Sequence, residues 1–551
     1  MTSQVTLDGD GWLRGEGLVD PHGPHDVPFT PYDPANLERP ILDVIAAVAQ
    51  RRPRHIAIDD GTLRIDYQRL YGLACRLGQA IHDAGLPPGP IGVKVAYDSL
   101  HPLAILGCLA AGRPLLLLDP DNPESFNDRV ARAAGLAGLI VNATAMRHTS
   151  SPQTLPNIAI ESVVMTGIGA VPTPPGRVEA RDPAFIVSTS GSTGAPKLVI
   201  RDQHRLHWTV RANIEFGHYN ETDRLVTLGA LTNGLTITRN LEPLLFGATV
   251  QMINLKRAGI GPTLQMIRDH RVSVVRTTVS ILKTLSEFEG ARAYLDAVRL
   301  VAVGGEGFLQ HDLAQIRSVL PAHCHLGYVL WMTETPVARW HLPARDDHDP
   351  IRVACGYLIP GVDIKVLHED GSPCAIGEMG ELLVRSASVA GGEIIDGRVV
   401  KDRFMADATG DNLRTYRTGD LVRVCPDGVL VCYGRNDRMV KVRGLRVEPA
   451  MIEAAMRATP GVKDAVAVID TATADIRIYA VIVPNAGAPE DLAETVRNHA
   501  RGAVPSHMVP TTICSLPSLP MTKAGKIDYA AILAHTRAAA GVCDDITAAQ
   551  N

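Results

Sequence analysis

From residue 41 onward the chain alternates two kinds of apolar pattern. Residues 41–49 and 67–84 place apolar side chains three and four positions apart, which predicts helices. Residues 91–96 predict a strand, and 115–118 a buried strand entering an Asp-Pro turn. Further short apolar runs follow at 185–187, 224–228, 273–275 and 300–303, each partly β-branched and separated from the next by helix-length material. That alternation predicts layered α/β structure with mostly parallel strands. After about residue 351 the spacing tightens. Residues 362–367, 380–384, 421–424 and 429–433 read as closely spaced strands, with turn residues at Asp370-Gly371 and Asp427-Gly428, and predict an antiparallel, β-rich part. A last unit opens near Asp437. Residues 449–458 predict a helix with Pro449 at its start, 465–470 pairs with 476–483, and 493–501 is a second helix. The first 38 residues, rich in Pro, Gly, Asp and His, show no period and predict an extended arm or a disordered lead-in. The expected fold class is α/β: a large N-terminal region of layered α/β subdomains plus a β-rich subdomain, followed by a small α+β C-terminal domain. The expected divisions are 1–38, 39–436, 437–535 and 536–551.

Composition narrows the classes. A chain of 551 residues allows about three to four folding units. With 46% hydrophobic and 21% charged residues it is an ordinary globular sequence with ample core material. A net charge of −5 offers no basic excess for nucleic-acid phosphates or anionic lipid, so neither nucleic acid nor membrane is an expected partner. The apolar stretch 103–118 is interrupted by Arg113 and too short to span a bilayer. The N-terminus carries acids rather than a basic-then-apolar block, which argues against a signal peptide. Nine cysteines without a CxxC pair suit reduced thiols. His323-Cys324-His325 could suggest a metal, but no second cluster has ligand spacing. A cytoplasmic enzyme is expected.

Ser188-Thr189-Ser190-Gly191-Ser192-Thr193-Gly194-Ala195-Pro196-Lys197 is the strongest local signal, and it follows the strand expected at 185–187. Small hydroxyl and glycine residues let backbone N–H groups converge on anionic oxygens, and hydroxyls and a lysine add donors. A flexible Ser/Gly linker has the same composition, but linkers seldom follow a buried strand. The lysine does not directly follow the last glycine, so this is not a Walker A loop. Arginine greatly outnumbers lysine, which draws attention to Lys197, Lys441 and Lys526 inside motif-like stretches.

The segment from Ser188 to Lys197 resembles the phosphate-loop signature of the adenylate-forming superfamily, which comprises acyl-CoA synthetases, adenylation domains of nonribosomal peptide synthetases, and luciferases. Other stretches match in order: Ala110-Ala111-Gly112 through Leu118-Asp119-Pro120, Gly304-Gly305-Glu306, Met332-Thr333-Glu334, Tyr416-Arg417-Thr418-Gly419-Asp420-Leu421, Gly434-Arg435-Asn436-Asp437 through Lys441-Val442-Arg443-Gly444 to Glu448, and Pro520 through Lys526 to Asp528. They run from about residue 60 to 530. The resemblance implies that Thr189, Ser190, Gly191, Ser192, Thr193, Gly194 and Lys197 hold the β- and γ-phosphates of ATP, and that Gly305 and Glu306 lie beside adenine. It implies that Thr333 meets the α-phosphate, that Glu334 meets Mg²⁺, and that Asp420, with Arg435 nearby, meets the ribose hydroxyls. Lys526 would offset charge while the acid's carboxylate attacks phosphorus. Residues 39–436 would bind ATP and acid, and 437–535 would form a mobile lid that turns about Asp437. The Arg443-Gly444 loop would then line the thiol channel. Each residue also has an ordinary structural alternative: a salt-bridged Asp420, a surface Lys526, an N-cap Thr333.

Departures from the family wording carry the substrate expectation. Lys197-Leu198 stands where Lys-Gly is usual. Trp331 replaces a glycine of the Tyr-Gly-x-Thr-Glu motif, and an indole there would admit only a small acid; alternatively it packs into the core and the pocket opens elsewhere. Counting back from Leu245-Phe246-Gly247-Ala248 puts Asn233-Gly234-Leu235-Thr236 where amino-acid-activating domains carry Phe-Asp-x-Ser. The missing carboxylate disfavours a plain α-amino acid, since a buried ammonium without a partner is costly. Asn233 could instead hydrogen-bond a neutral polar substituent. Tyr328 stands where an Asn or Asp often touches adenine. Only a short Ala-rich tail follows Asp528, so the enzyme is expected to stand alone and to use the phosphopantetheine of a separate carrier protein, or free CoA. The motif wording at 115–123 and 416–453 is nearer to peptide-synthetase domains and favours the carrier protein. The alternatives are an acyl-CoA ligase and, more distantly, a catalytically silent nucleotide-binding homologue.

Overall fold

The computed structural model describes the chain except residues 1–4, 19, 123, 144–154, 165–172, 191–195, 230–233, 396–397, 407–412, 436–439, 443–444, 448, 471–476, 490, 505–507, 523–526 and 542–551. Among the described residues the strands form three large sheets and two small ones. The first large sheet runs in the order Tyr357–Leu358, Pro336–His341, His325–Trp331, Leu300–Gly304, Val274–Thr277, Arg224–Thr227, Thr249–Gln251, Ile56–Asp59 and Arg64–Asp66. Its pairings are parallel from His325–Trp331 to Ile56–Asp59 and antiparallel at both edges. The central strands Val274–Thr277 and Leu300–Gly304 are buried along their whole length, as strands covered on both faces must be.

A second sheet places Pro183–Ser190 beside Leu115–Leu117, Ile91–Lys94, Gly138–Val141 and Asn157–Ala159, all parallel. On its other side it adds Pro196–Asp202, Gly392–Ile395 and Arg398–Val400, all antiparallel. The helix Tyr67–Asp83 starts where the Asp66 carboxylate accepts from the Arg69 amide at 2.7 Å. It buries Leu70, Leu73, Leu77 and Ile81 and packs tightly on the helix Leu100–Ala110. A Cβ on Gly78 would come within 2.7 Å of Ala110, and one on Gly107 within 2.4 Å of Leu77, so those two glycines set the helix spacing.

The third sheet is antiparallel, as expected for the region after 351: Leu13–Arg14, Val362–Leu367, Met379–Ser386, Arg414–Val424 and Phe404–Ala406, with Leu430–Arg435 also on Arg414–Val424. The N-terminal residues contribute its edge strand. Trp12 is buried beneath Lys365 and Arg385, whose charges stand 4.8 and 4.2 Å from its ring, and the Asp20 carboxylate accepts from the His341 amide at 2.6 Å. The C-terminal part is α+β. Val462–Asp470 pairs antiparallel with Arg477–Pro484, which pairs parallel with Thr512–Ser515. The helices Pro449–Arg457 and Leu492–Ala503 enclose a separate small core with this sheet. Among the described residues the cysteines are free thiols, and no helix is long and apolar enough to cross a membrane.

Two polar features within the body are invisible to a hydrophobic-period reading. The helix Gly234–Phe246 contains Pro243, which has no N–H to donate to the Arg239 carbonyl four residues back. Arg276 takes its place: its Nη2 donates to the Arg239 oxygen at 2.5 Å, and its Nη1 stands 3.2 Å from Glu242 Oε2. Elsewhere, His348 lies between two carboxylates, with Nδ1 at 2.7 Å from Asp346 and Nε2 at 2.8 Å from Asp427, in the turn of the antiparallel sheet. Only the imidazolium donates from both nitrogens. The Asp346 hydrogen bond, opposed by burial and reinforced by Asp427, raises the His348 pKa from 6.5 to about 9.

Because this value lies above that of the unfolded chain, the bridge stabilises the fold fully below about pH 6.5 and its contribution is lost as pH rises through about 9. We expect His348→Gln to cost about 1–2 kcal/mol near pH 6, after allowance for partial exposure, and almost nothing above pH 10. Urea denaturation of both proteins across this range checks it; a pH-independent difference would contradict the bridge.

Candidate active site

The two strands flanking the Ser/Thr/Gly segment form a hairpin. Pro183–Ser190 and Pro196–Asp202 pair with Thr189 opposite Lys197 and Ser190 opposite Pro196. The backbone thus puts Thr189, Ser190 and Lys197 at the base of the connection. Gly191, Ser192, Thr193 and Gly194 lie outside the described residues. Arg201, on the second strand, is buried beside this hairpin. Burial pulls its guanidinium down to about 10, and the charge of Glu334 pushes it back up.

Thr333 and Glu334 form a tight turn after His325–Trp331. The Met332 amide donates to the Thr335 oxygen at 3.1 Å, and the Thr335 amide to the Met332 oxygen at 3.2 Å. Both Thr333 and Glu334 are half-buried. Two consecutive amides fix the turn against the hairpin: Ala390 donates to the Glu334 oxygen at 2.9 Å, and Gly391 to the Ile200 oxygen at 3.0 Å. Met332 packs on Val199, Val389, Ala390, Phe404 and Tyr416 below it. Trp331 ends its strand at a register irregularity; it is half-buried, and among the described residues its buried Nε1 has no hydrogen-bond partner.

The next strand, Leu300–Gly304, ends in Gly305, whose φ of +82° favours glycine and turns the chain outward. Glu306 does not point into free space. Its carboxylate accepts from the Ser280 amide and hydroxyl, each at 2.9 Å, at the start of the helix Val279–Ser286. The Glu306 backbone oxygen accepts from the Tyr328 hydroxyl at 2.9 Å. Tyr328 is fully buried, which holds its phenol well above the usual range, and it also contacts Cys355. Burial drives the Cys355 thiol up as well, and the charge of Asp420 adds to this, so Asp420 lies near the same buried group. Asp420 is itself buried, and the register pairs it directly with Arg435. The Asp420 amide donates to Thr418 Oγ1 at 2.9 Å, and Thr418 donates onward to the Leu382 oxygen.

The hairpin that carries the Ser/Thr/Gly segment and the Thr333-Glu334 turn are thus stitched together at the end of His325–Trp331, while Asp420, within Arg414–Val424, lies near Cys355 and so near Tyr328. Family comparison decides what this is. The model of the AMP-binding enzyme family matches residues 45–392, and that of its C-terminal domain matches 451–526. The chain belongs to the AMP-binding enzyme family. This is the adenylate-forming superfamily of AMP-producing ligases. Among curated relatives, this AMP-binding enzyme is 28% identical to phenyloxazoline synthase MbtB of Mycolicibacterium paratuberculosis, over 88% of the chain and 41% of that protein. It is 29% identical to phosphinothricin tripeptide synthetase PhsC of Streptomyces viridochromogenes, over 91% of the chain and 45% of that protein. The chain therefore spans less than half the length of either. Solved structures share the fold. An anthranilate CoA ligase in complex with anthranoyl-AMP superposes with a TM-score of 0.78 at 17% identity, over 92% of this chain and 98% of that one. A four-domain nonribosomal peptide synthetase bound to AMP and glycine gives 0.75 at 21%, over 92% of this chain and 36% of that one.

The described structure brings the Thr189/Lys197 hairpin base and Glu334 into one connected region, and places Asp420 opposite Arg435. Gly234 opens the helix Gly234–Phe246. Asn233, Asp437, Arg443, Gly444 and Lys526 lie outside the described residues. The flanks of Lys526 are described: Met521 bridges to Ile527, the Asp528 amide donates to the Pro520 oxygen at 2.8 Å, and Asp528 caps the helix Tyr529–Ala539. Sequence reasoning missed the Ser280 partner of Glu306 and the buried Arg201. Glu306 is the residue three after Val303 in a run of glycines, and nothing in that spacing tells a helix-capping carboxylate from a ligand-facing one.

Tyr328→Phe should remove the donor that holds the Glu306 oxygen and lower stability by about 1 kcal/mol, read from urea unfolding. An unchanged midpoint would show that this bond does not fix the segment.

Proposed function

We propose that the chain activates a small carboxylic acid with ATP and then passes the acyl group to a thiol. The observation that supports this reading best is the pair of amides of Ala390 and Gly391, which locks the Thr333-Glu334 turn to the strand that leaves the Ser/Thr/Gly segment. In that arrangement an α-phosphate held at Thr333 and a triphosphate tail held at Thr189, Ser190 and Lys197 would occupy one continuous groove. A half-buried carboxylate with phosphate oxygens beside it fits Mg²⁺, which keeps waters and takes one or two carboxylates; Glu334 would hold it, and the ion would supply charge neutralisation on the phosphates. Asp420 would orient the nucleotide by accepting from ribose hydroxyls, with Gly305 and Glu306 alongside the base.

The reaction requires a carboxylate oxygen of the acid to form a bond to the α-phosphorus as the bond to the bridging oxygen breaks and pyrophosphate leaves. Lys526 would offset the charge that builds between the two anions. Closure of the C-terminal part over the groove would keep water from the acyl adenylate. In the second step the part hinged near Asp437 would turn and bring the Arg443-Gly444 loop to a thiol channel. We assign the thiol to the phosphopantetheine of a carrier protein, on the peptide-synthetase-like wording of the motifs and the likeness to a tripeptide synthetase. The competing acceptor is free CoA. Product analysis with CoA against a holo carrier protein separates the two.

ATP–pyrophosphate exchange across a panel of small acids tests the first step. We expect Lys526→Ala to lower acid-dependent exchange by about 100-fold or more while transfer from preformed adenylate is largely kept; equal loss of both steps would defeat this division of labour. Trp331→Gly should shift preference toward longer acids, and a wild type that already takes long chains well would contradict the pocket role of the indole.

A further inference from the structure

The strands Val362–Leu367 and Met379–Ser386 pair antiparallel, and residues 368–378 connect them. A hairpin needs only about two to five residues for such a connection. The longer path is held in a defined shape by its backbone. The Gly371 amide donates to the His368 oxygen at 3.0 Å, and the His368 amide to the Ser372 oxygen at 2.9 Å. The Cys374 amide then returns to the Val366 oxygen at 2.8 Å, and the Gly377 amide reaches the Val424 oxygen at 2.9 Å. This path gathers His368, Cys374 and Glu378, whose spacing along the chain is no familiar metal signature. An imidazole nitrogen, the thiol sulfur and a carboxylate oxygen lie within 4.8 Å of one another. His368 Nε2 stands 3.3 Å from Glu378 Oε2.

The three donors divide into one anchor and two arms. Cys374 is buried, and its sulfur sits against Gly380, where an added Cβ would come within 2.7 Å of it. The side chains of His368 and Glu378 are 42% and 53% exposed, so their tips can shift and an ion can enter from solvent. The Glu378 carboxylate is already oriented, because its Oε2 accepts from the Ala375 amide at 2.8 Å. Tetrahedral bonds of about 2.0–2.3 Å from Zn²⁺ to nitrogen, oxygen and sulfur put the ligand atoms roughly 3.3–3.8 Å apart. The imidazole–carboxylate pair fits that spacing as it stands, and a shift of about 1 Å by the two arms closes the rest. Donor chemistry selects the ion. Thiolate and imidazole suit Zn²⁺ and do not suit the hard ions Mg²⁺ and Ca²⁺.

We propose that His368, Cys374 and Glu378 bind one Zn²⁺, with water in the fourth position. Coordination takes Cys374 as the thiolate, whose proton leaves to solvent, and His368 as the neutral imidazole. The ion would tie down the connection 368–378 at the place where the N-terminal residues rest on it. Cys374, Ala375 and Glu378 line one small cavity with Leu7 and Leu13, and a Cβ on Gly11 would come within 2.9 Å of Pro373. None of the three ligands is among the residues assigned above to ATP, acid or thiol, so this site does not rest on the adenylation reading.

The experiment titrates Zn²⁺ into the full chain, stripped of metal and kept reduced, in competition with a chromophoric chelator. Co²⁺ serves as a second probe, because a cobalt–thiolate bond gives a charge-transfer band in the near ultraviolet. Both are run on the wild type, Cys374→Ser, His368→Gln and, as a control at a partly exposed thiol of the C-terminal part, Cys514→Ser. Circular dichroism in metal-free buffer checks that each is folded. We expect the wild type and Cys514→Ser to hold about one equivalent of Zn²⁺ that excess Mg²⁺ does not displace, to show the cobalt band, and to gain Tm with zinc. Cys374→Ser and His368→Gln should each lose affinity by about 100-fold or more and gain no Tm, and Cys374→Ser should lose the band. His368→Gln changes a partly exposed side chain and decides the matter if Cys374→Ser does not fold. A wild type that cannot hold zinc against the chelator, or that gives no cobalt–thiolate band, overturns the inference. So does zinc held equally tightly by a folded His368→Gln.

Discussion

The segment from Ser386 to Gly392 is where the three large sheets are joined, and the geometry of the site depends on it. It leaves the antiparallel sheet at Met379–Ser386 and enters the second sheet at Gly392–Ile395. On the way its amides at Ala390 and Gly391 bond the exit turn of the first sheet and the strand Pro196–Asp202 of the second. The Ser388 hydroxyl pairs with that of Thr335 at 2.9 Å and with Ser386 at 3.0 Å, and the Val389 oxygen accepts from Arg205. Val389, Ala390, Ser386 and Ser388 are all buried, so none of these bonds competes with bulk water. A short irregular stretch thereby ties the hairpin of Pro183–Ser190 and Pro196–Asp202 to the Thr333-Glu334 turn through backbone atoms. A substitution other than proline at Ala390 or Gly391 keeps these two amide donors.

Much of the scaffold was legible because burial on both faces forces a simple pattern. Runs such as Leu225-Val226 and Leu300-Val301 cannot be surface, and their β-branched content separates them from helix. The antiparallel part was legible from spacing and from Asp-Gly turns, where Gly371 and Gly428 take φ of +85° and +88°. The strands His325–Trp331 and Pro336–His341 escaped because Tyr, Trp, Arg and His interrupt their apolar run. In the fold those residues are buried by mutual packing: Trp340 Nε1 donates to the Ala354 oxygen, and Phe216 stacks on His341 at 4.1 Å. The N-terminal stretch has no period because it is an edge strand of two residues and single anchors, Trp12 and Tyr32, rather than a regular element.

The site was legible to the extent that its chemistry is local. Hydroxyl, glycine and lysine in succession suggest an anion-binding loop, and the structure places the two ends of that segment on a hairpin and Thr333-Glu334 in a turn after a strand. Whether a polar side chain faces ligand or protein is not local. Glu306 caps a helix through Ser280, and Tyr328 serves a backbone oxygen. Both are settled by neighbours about 20 or more residues away along the chain. The same holds for the arginines. On a periodicity plot Arg201, Arg239 and Arg276 read as solvent-facing breaks, yet each is under 10% exposed.

Charge explains why these arginines persist inside. Arg276 repairs a helix that Pro243 has interrupted, and its burial is offset by Glu242 and a carbonyl. Arg201 has the field of Glu334. Arg239 has the field of the same Glu242, whose Oε2 accepts from Asn213 and faces Arg276 while its buried Oε1 has no hydrogen-bond partner among the described residues. A fold that keeps the cation, in a helix that already contains a proline, accepts two local penalties over one turn. Tertiary contacts offset both: Arg276 bonds the carbonyl that Pro243 leaves open, and Glu242 faces the two guanidiniums.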